Sequence, residues 1–242
     1  VRTGPELAVV VPAYNEEARL GPTVQRIIEY LEGRGTDWQL IVSDDGSTDR
    51  TVAVAEAAAA GNPRVRVIAL GRNRGKGAAV RAGMLAARAE KVLFSDADLS
   101  TPIEEVEKLE LALLDGADVA IGSRAVAGAD IRVRQHPARE LMGRTFNAMV
   151  RTLVMGGIKD TQCGFKLFTA AAARDLFSRA TIDGFAFDVE ILWLARGRYR
   201  IAEVPVVWRH IDESKVSPGI DAARMLIDIV KLRLRHRKTR HG

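Results

Sequence analysis

Three short clusters in this 242-residue sequence carry side chains able to do chemistry. Asp96-Ala97-Asp98 sets two carboxylates one residue apart at the end of an apolar run. Such a pair can face a common cation and, through it, two phosphate oxygens; hard oxygen donors suit Mg²⁺ or Mn²⁺. A bare D-x-D is equally an ordinary turn or helix cap, and its spacing alone does not separate the two readings. Asp44-Asp45-Gly46-Ser47-Thr48-Asp49 reads as a turn into a helix capped by Ser47 or Thr48. It reads as well as a pair of acids accepting from a base N–H or a ribose hydroxyl, since burying two adjacent carboxylates requires partners. Asn73-Arg74-Gly75-Lys76-Gly77 is a glycine-flanked basic loop opening a helix, where backbone N–H groups and Lys76 can meet phosphate oxygens. It lacks the spacing of a P-loop.

These clusters need a scaffold, and hydrophobic patterning supplies one. Apolar runs predict strands at Leu7 to Pro12, Trp38 to Asp45, Arg64 to Leu70, Lys91 to Asp98 and Ala117 to Gly122. Between them, helical spacing covers Pro22 to Gly33, Thr48 to Ala60, Gly77 to Glu90 and Pro102 to Leu114. The alternation predicts an α/β chain with a doubly wound, mostly parallel sheet and flanking helices. Ligands on such sheets sit beyond the carboxyl ends of the strands, which is where the polar clusters fall. The second half is less regular, with a helix from Arg139 to Gly156, a strand from Gly164 to Phe168 and a helix from Asp188 to Arg196. A strand from Ile201 to Trp208 follows, whose Pro205 predicts an edge position or a bend. The last helix is expected from Gly219 to Arg235. No repeat or linker divides the chain, so residues 1–242 read as one domain.

Composition is that of a globular protein, 47% hydrophobic and 28% charged. The lone Cys163 cannot form an internal disulfide, so no oxidising compartment is required and a cytosolic location is expected. The sequence opens with no secretory signal pattern and holds no run near the ~18 apolar residues of a spanning helix. The formal net charge of +5 is uneven. Six Lys and Arg residues and no acid lie between Lys231 and Gly242, a tail suited to nucleic acid, an anionic membrane surface or water.

VVVPAYNE, DDGSTD, NRGKGAAVRAG and DAD, in this order and spacing, resemble the GT-A fold of family 2 inverting glycosyltransferases. The later motifs narrow the likeness: GSR (Gly122 to Arg124), KDTQCGFKLF (Lys159 to Phe168), FDVEIL (Phe187 to Leu192), EVPVVW (Glu203 to Trp208) and ESKV (Glu213 to Val216) resemble the dolichyl-phosphate β-glucosyltransferases. The dolichyl-phosphate mannosyltransferases share a looser form. The resemblance spans about Leu7 to Arg235.

That resemblance implies a nucleotide-sugar donor and a polyprenyl phosphate acceptor. The donor side would occupy about residues 7–122 and the acceptor side 123–242. Pro12, Tyr14, Glu16, Asp44 and Asp45 would hold the nucleoside with Lys76 nearby, and Asp96 and Asp98 the metal and diphosphate. Lys215 would neutralise the leaving group, and Ser123, Arg124 and Arg139 would meet the acceptor phosphate. Some polyprenyl-phosphate mannosyltransferases place a glutamine ligand two residues after the second aspartate; here that position is Ser100. UDP-glucose is the expected donor, with GDP-mannose the alternative. No dedicated base is needed, because a phosphate monoester with its second pKa at roughly 6 is already anionic at neutral pH. The eukaryotic glucosyltransferases carry an N-terminal membrane anchor that these residues do not contain. The expectation is therefore peripheral attachment on the cytosolic face, by another element or a partner.

Two helices could supply it. Phe146, Met149, Val150 and Leu153 recur on one face of the first. On the last, Ala222, Met225, Ile229 and Leu232 share a face beside a basic stripe of Arg224, Lys231, Arg235 and Lys238. Each set serves equally to close the core. Asp188 and Glu190 are either sugar-hydroxyl ligands or helix N-terminal acids. Cys163 reads as a small buried hydrophobe, and His136 and His210 lack metal-ligand spacing. Rival readings are a transferase with a soluble acceptor, a non-catalytic nucleotide-binding module and a nucleic-acid binder. The last is disfavoured by only 5% aromatic residues and by the unexplained acids.

Overall fold

The computed structural model describes residues 4–133, 157–209 and 220–238. A seven-stranded sheet forms its centre, built from β1 (Leu7–Ala13), β2 (Trp38–Asp44), β3 (Val65–Ala69), β4 (Lys91–Ser95), β5 (Val119–Ser123), β7 (Phe165–Thr169) and β8 (Ile201–Pro205). Their spatial order is β3-β2-β1-β4-β7-β5-β8. All neighbours are parallel except β7, which runs antiparallel between β4 and β5. Two short strands, β6 (Asp130–Val133) and β9 (Val207–Arg209), pair separately.

The expected doubly wound sheet is present, and its apolar runs show why. Along β1, Ala8 and Val10 enter the core on one face while Leu7, Val9 and Val11 enter the core on the other. A strand covered on both sides has no polar-out positions, hence the unbroken LAVVV. One face is covered by α1 (Leu20–Gly33) and α4 (Val106–Leu114), the latter led in by a 3₁₀ turn at Ile103–Glu105. On α1, Leu20, Val24, Ile27 and Leu31 recur at helical spacing and are all buried. Burying each contributes about 1.5–3 kcal/mol. The opposite face is covered by α3 (Lys76–Ala86), α5 (Ala170–Arg179), α6 (Phe187–Ala195) and α7 (Ile220–Lys238), while α2 (Thr51–Ala59) packs beside α1.

Several boundaries differ from expectation. Helix α3 stops at Ala86 rather than Glu90 because the next residues lead into β4: the Glu90 and Lys91 N–H groups donate to Pro5 and Glu6 carbonyls. Helix α5 was not anticipated, although Thr169 caps it by accepting from Ala172 N–H. Pro205 ends β8, the sheet's edge strand, and the chain then bends into β9, so both of its expected effects occur. The helix expected at Arg139 to Gly156 lies outside the described residues.

The last helix decides between the two readings left open for its apolar face. Met225, Ile229 and Leu232 are buried in the molecule, so this face of α7 closes the core and is not available to a membrane.

Candidate active site

A cleft of about 620 Å³ opens beyond the carboxyl ends of β1, β2 and β4, bounded by the start of α3 and by α7. Pro12, Tyr14 and Glu16 line it from β1 and its following loop, Asp45 from β2, Lys76 from α3, and Asp96 and Asp98 from β4. The crossovers of a parallel sheet bring these distant positions to one edge.

The two adjacent acids after β2 do different jobs. Asp44 turns inward and accepts from the Gly46 and Ser47 N–H groups at 3.0 Å each, as well as from the Ser47 hydroxyl. It is fully buried and does not line the cleft, so its expected donor contact is corrected: it holds the turn. Asp45 faces the cleft and accepts from Arg74 N–H at 2.9 Å and Gly75 N–H at 2.8 Å, tying the basic loop to the end of β2. Burial raises its pKa while those two N–H groups pull it down; the net shift is upward. Gly46 adopts φ +73°, and a Cβ there would meet the Arg72 backbone at 2.2 Å, so the loop closes only over glycine.

Ser47 and Thr48 do not cap α2, which begins at Thr51 without a side-chain cap from Arg50. They clamp the loop after β1 instead. Asn15 N–H donates to the Ser47 hydroxyl at 2.8 Å, Thr48 N–H to Asn15 Oδ1 at 2.8 Å and Glu16 N–H to Thr51 Oγ1 at 2.7 Å. Each motif thus shapes the other. The clamp holds Asn15 at φ 52° and leaves the Glu16 carboxylate paired with Arg19 at 2.8 Å.

At the centre, Lys76 Nζ lies 2.7 Å from Asp96 Oδ1. Burial pushes the lysine pKa down, but Asp96, Asp188 and Asp98 outweigh it and the net shift is upward, so the charge is kept. Asp96 N–H donates to Gly164 O at 2.9 Å, and Asp98 Oδ1 accepts from Ser100 N–H at 2.8 Å. A Cβ on Gly164 would stand 1.9 Å from Asp96 Oδ2, so the glycine of the DTQCGF segment makes room for this carboxylate. The donor set fits a hard divalent cation, since both carboxylates line the cleft and neither is sequestered by secondary structure. Among the described residues no group of three or more His, Cys, Asp and Glu converges, so phosphate oxygens and water would complete the sphere.

The residues expected at the acceptor are placed differently. The Ser123 side chain is buried and its hydroxyl donates to Glu203 Oε1 at 3.0 Å, which corrects its assignment to a phosphate. Arg124 makes a forked pair with Asp160 at 2.7 and 3.0 Å and stacks on Trp208, 5.3 Å from the ring centroid. It does not line the 620 Å³ cleft. Although burial opposes both ions, the pairing raises the Arg124 pKa and holds Asp160 down at about 2. Arg139 and Lys215 lie outside the described residues, as do His136 and His210.

Asp188 and Glu190 are not in the cleft. Asp188 pairs with buried Lys166, and Glu190 accepts from Thr181 N–H, Thr181 Oγ1 and Ile182 N–H. Cys163 is buried, as expected of a small hydrophobe, and burial raises its thiol pKa to about 11. Sequence reasoning missed Arg19, Phe185, Arg224 and Asp228 as lining residues. The signal for Arg224 was present in the basic stripe; nothing marked Phe185.

The sequence profile described as Glycosyl transferase family 2 matches residues 8–177. The chain is 41% identical over 245 residues to the dolichyl-phosphate beta-glucosyltransferase of Homo sapiens, covering 96% of this chain and 76% of that one. It is 39% identical over 234 residues to dolichyl-phosphate beta-glucosyltransferase ALG5C of Trichomonas vaginalis, covering 92% and 69%. Among solved structures, Mycobacterium tuberculosis glucosyl-3-phosphoglycerate synthase in complex with Mn²⁺, UDP-glucose and phosphoglyceric acid has the same fold. It aligns with a TM-score of 0.68 at 23% identity over 95% of this chain and 80% of that one. The chain therefore belongs to glycosyltransferase family 2, as a GT-A enzyme of the dolichyl-phosphate β-glucosyltransferase type.

Proposed function

We propose that this enzyme moves glucose from UDP-glucose to a polyprenyl phosphate at the cytosolic face of a membrane, inverting the anomeric carbon. The observation that carries the reading is the convergence of Asp45, Lys76, Asp96 and Asp98 on one cleft at the carboxyl edge of the sheet. The β-glucosyl relatives and the UDP-glucose bound in the structural neighbour support the donor.

The nucleoside would lie along Pro12, Tyr14 and Asp45, with its diphosphate toward Lys76. Asp96 and Asp98 would hold a divalent ion, Mg²⁺ or Mn²⁺, which neutralises charge on the departing diphosphate. The Mn²⁺ in the neighbour's complex supports such use. Lys76 is charged and fixed in place before any ligand arrives, so its contribution to the developing charge costs little reorganisation. Lys215 is assigned to the leaving group, and Arg124 with Arg139 to the acceptor side. The acceptor oxygen, already anionic, attacks in line and positioning supplies most of the rate.

The test is transfer of radiolabelled sugar from UDP-glucose into detergent-solubilised polyprenyl phosphate, with Mg²⁺, Mn²⁺ or EDTA. GDP-mannose runs in parallel and Asp98→Ala is the control. A chloroform-soluble product lost with EDTA and in Asp98→Ala is expected. Nucleotide binding without lipid product from either donor would overturn the lipid acceptor.

A further inference from the structure

Helix α7 carries apolar residues on two opposite sides. Met225, Ile229 and Leu232 point into the core, as a surface helix requires. At 100° per residue, Ile227 and Val230 lie on the far side, and they are 52% and 45% exposed. A helix that only closed the core would carry polar residues there. Arg224, Lys231 and Arg233 are exposed around this outer pair. The last acid before the end of the helix is Asp228, which lines the cleft and lies 3.9 Å from Lys231, so basic residues outnumber acids around the aliphatic outer pair.

We propose that this outer face of α7, with Ile227 and Val230 at its centre, docks on an anionic lipid surface. The inference rests on the lipid-acceptor reading above and assigns the surface that reading requires. Aliphatic side chains flanked by Lys and Arg match both layers of such a membrane, with the former entering the acyl boundary and the latter meeting phosphate headgroups. A nucleic acid would use the charges but gain nothing from Ile227 and Val230, and the stripe offers no aromatic for stacking. A second copy docked about a two-fold axis would bring the same basic stripe against itself. Among the described residues no helix is long and apolar enough to cross a membrane.

The placement has a functional side. Arg224, Met225 and Asp228 line the donor cleft from the same helix that turns Ile227 and Val230 outward. Cleft-lining Asp228 and outward Ile227 are neighbours in sequence, about 100° apart around the same helix. Docking through α7 would hold the cleft against the headgroup layer, where an acceptor phosphate resides.

The experiment is co-sedimentation of the full chain with vesicles of pure phosphatidylcholine or of phosphatidylcholine with 30% phosphatidylserine, without donor or acceptor. Binding to the anionic vesicles only is expected. Ile227→Glu/Val230→Glu should weaken it at least about ten-fold, and Arg233→Glu about twenty-five-fold, at about five-fold per unit of charge. Wild-type vesicle affinity in both variants, or no binding by the wild type, overturns the proposal. So does self-association or RNA binding by the wild type that the double variant lacks while its vesicle binding is unchanged. Should the double variant melt early, Ile227→Cys carrying an environment-sensitive dye replaces it, buried Cys163 remaining unlabelled. A blue shift on anionic vesicles is expected, and an unchanged spectrum overturns the proposal. Vesicle binding absent while transfer to a short, water-soluble polyprenyl phosphate persists would remove this inference and leave the proposed reaction intact; the reverse result would do the opposite.

Discussion

Lys76 and Asp96 meet at 2.7 Å across the floor of the cleft, the first residue of α3 against the first residue after β4. The pair joins two motifs that sit twenty residues apart in sequence and are joined by a crossover helix. In the proposed reaction a diphosphate arrives and leaves here, and this lysine is the fixed positive charge in contact with the acid pair. Replacing it with alanine should cut kcat/KM about ten- to a hundred-fold, the usual worth of a charge-assisted hydrogen bond. Steady-state transfer kinetics check this, and an unchanged kcat/KM would remove Lys76 from the donor site.

Gly164 backs Asp96 so closely that one methyl group tests the arrangement. Gly164→Ala should drive the Asp96 carboxylate aside, because its Cβ would stand 1.9 Å from Oδ2. A displacement near 1 Å costs about a hundred-fold in rate, while overpacking costs about 1–3 kcal/mol of stability. Parallel activity and thermal melts separate the two effects. A variant as active as the parent would show that Asp96 needs no fixed position.

The Arg124–Asp160 pair predicts an acid limb in stability. Asp160 titrates near 2 in the folded protein, below its ordinary 3.8, because Arg124 outweighs burial. A depressed acid stabilises fully above its unfolded pKa and loses that contribution as pH falls. Between about pH 4 and 2 the protein should therefore lose on the order of 2 kcal/mol through this group. Asp160→Asn should abolish that step and cost about 3 kcal/mol at neutral pH by leaving Arg124 unpaired. Denaturant melts across the range measure both.

Cys163 should be inert in the folded protein. Burial keeps its thiol protonated up to about 11, so a disulfide exchange reagent at pH 8 should react only at the rate of unfolding. Stoichiometric labelling within seconds under native conditions would contradict the packing around β7.

Much of the donor side was legible in the sequence because its signals are local. Continuous apolar runs marked β1, β2 and β4, and the polar residues after each fall at the carboxyl edge by topology alone. Asp45, Lys76, Asp96 and Asp98 line the cleft as the spacing suggested. What failed was the direction of individual side chains. Asp44 and Asp45 are chemically identical in sequence, yet the strand's alternation sends one into the turn and the other to the cleft. Ser123 looked available until Glu203, eighty residues later, took its hydroxyl. On α7 both apolar sets have helical spacing, and only packing distinguishes the buried set from the exposed one. The Phe185 wall of the cleft depends on tertiary docking and had no local mark, and the basic stripe marked Arg224 as charged without placing it at the cleft.

The antiparallel β7 has a further consequence during synthesis. It comes from the second half of the chain but lies between β4 and β5 of the first, pairing Lys91 with Thr169 and Val119 with Phe168. A nascent chain that has reached Ser123 therefore holds two strands with open edges and nothing to separate them. Such edges invite pairing with other chains until they are covered. The segment from β1 to β5, though contiguous in sequence, cannot finish folding before residue 169 has left the ribosome. Its last structural member is also the segment that brings Gly164 against Asp96, so the acid pair gains its final setting only when the sheet closes.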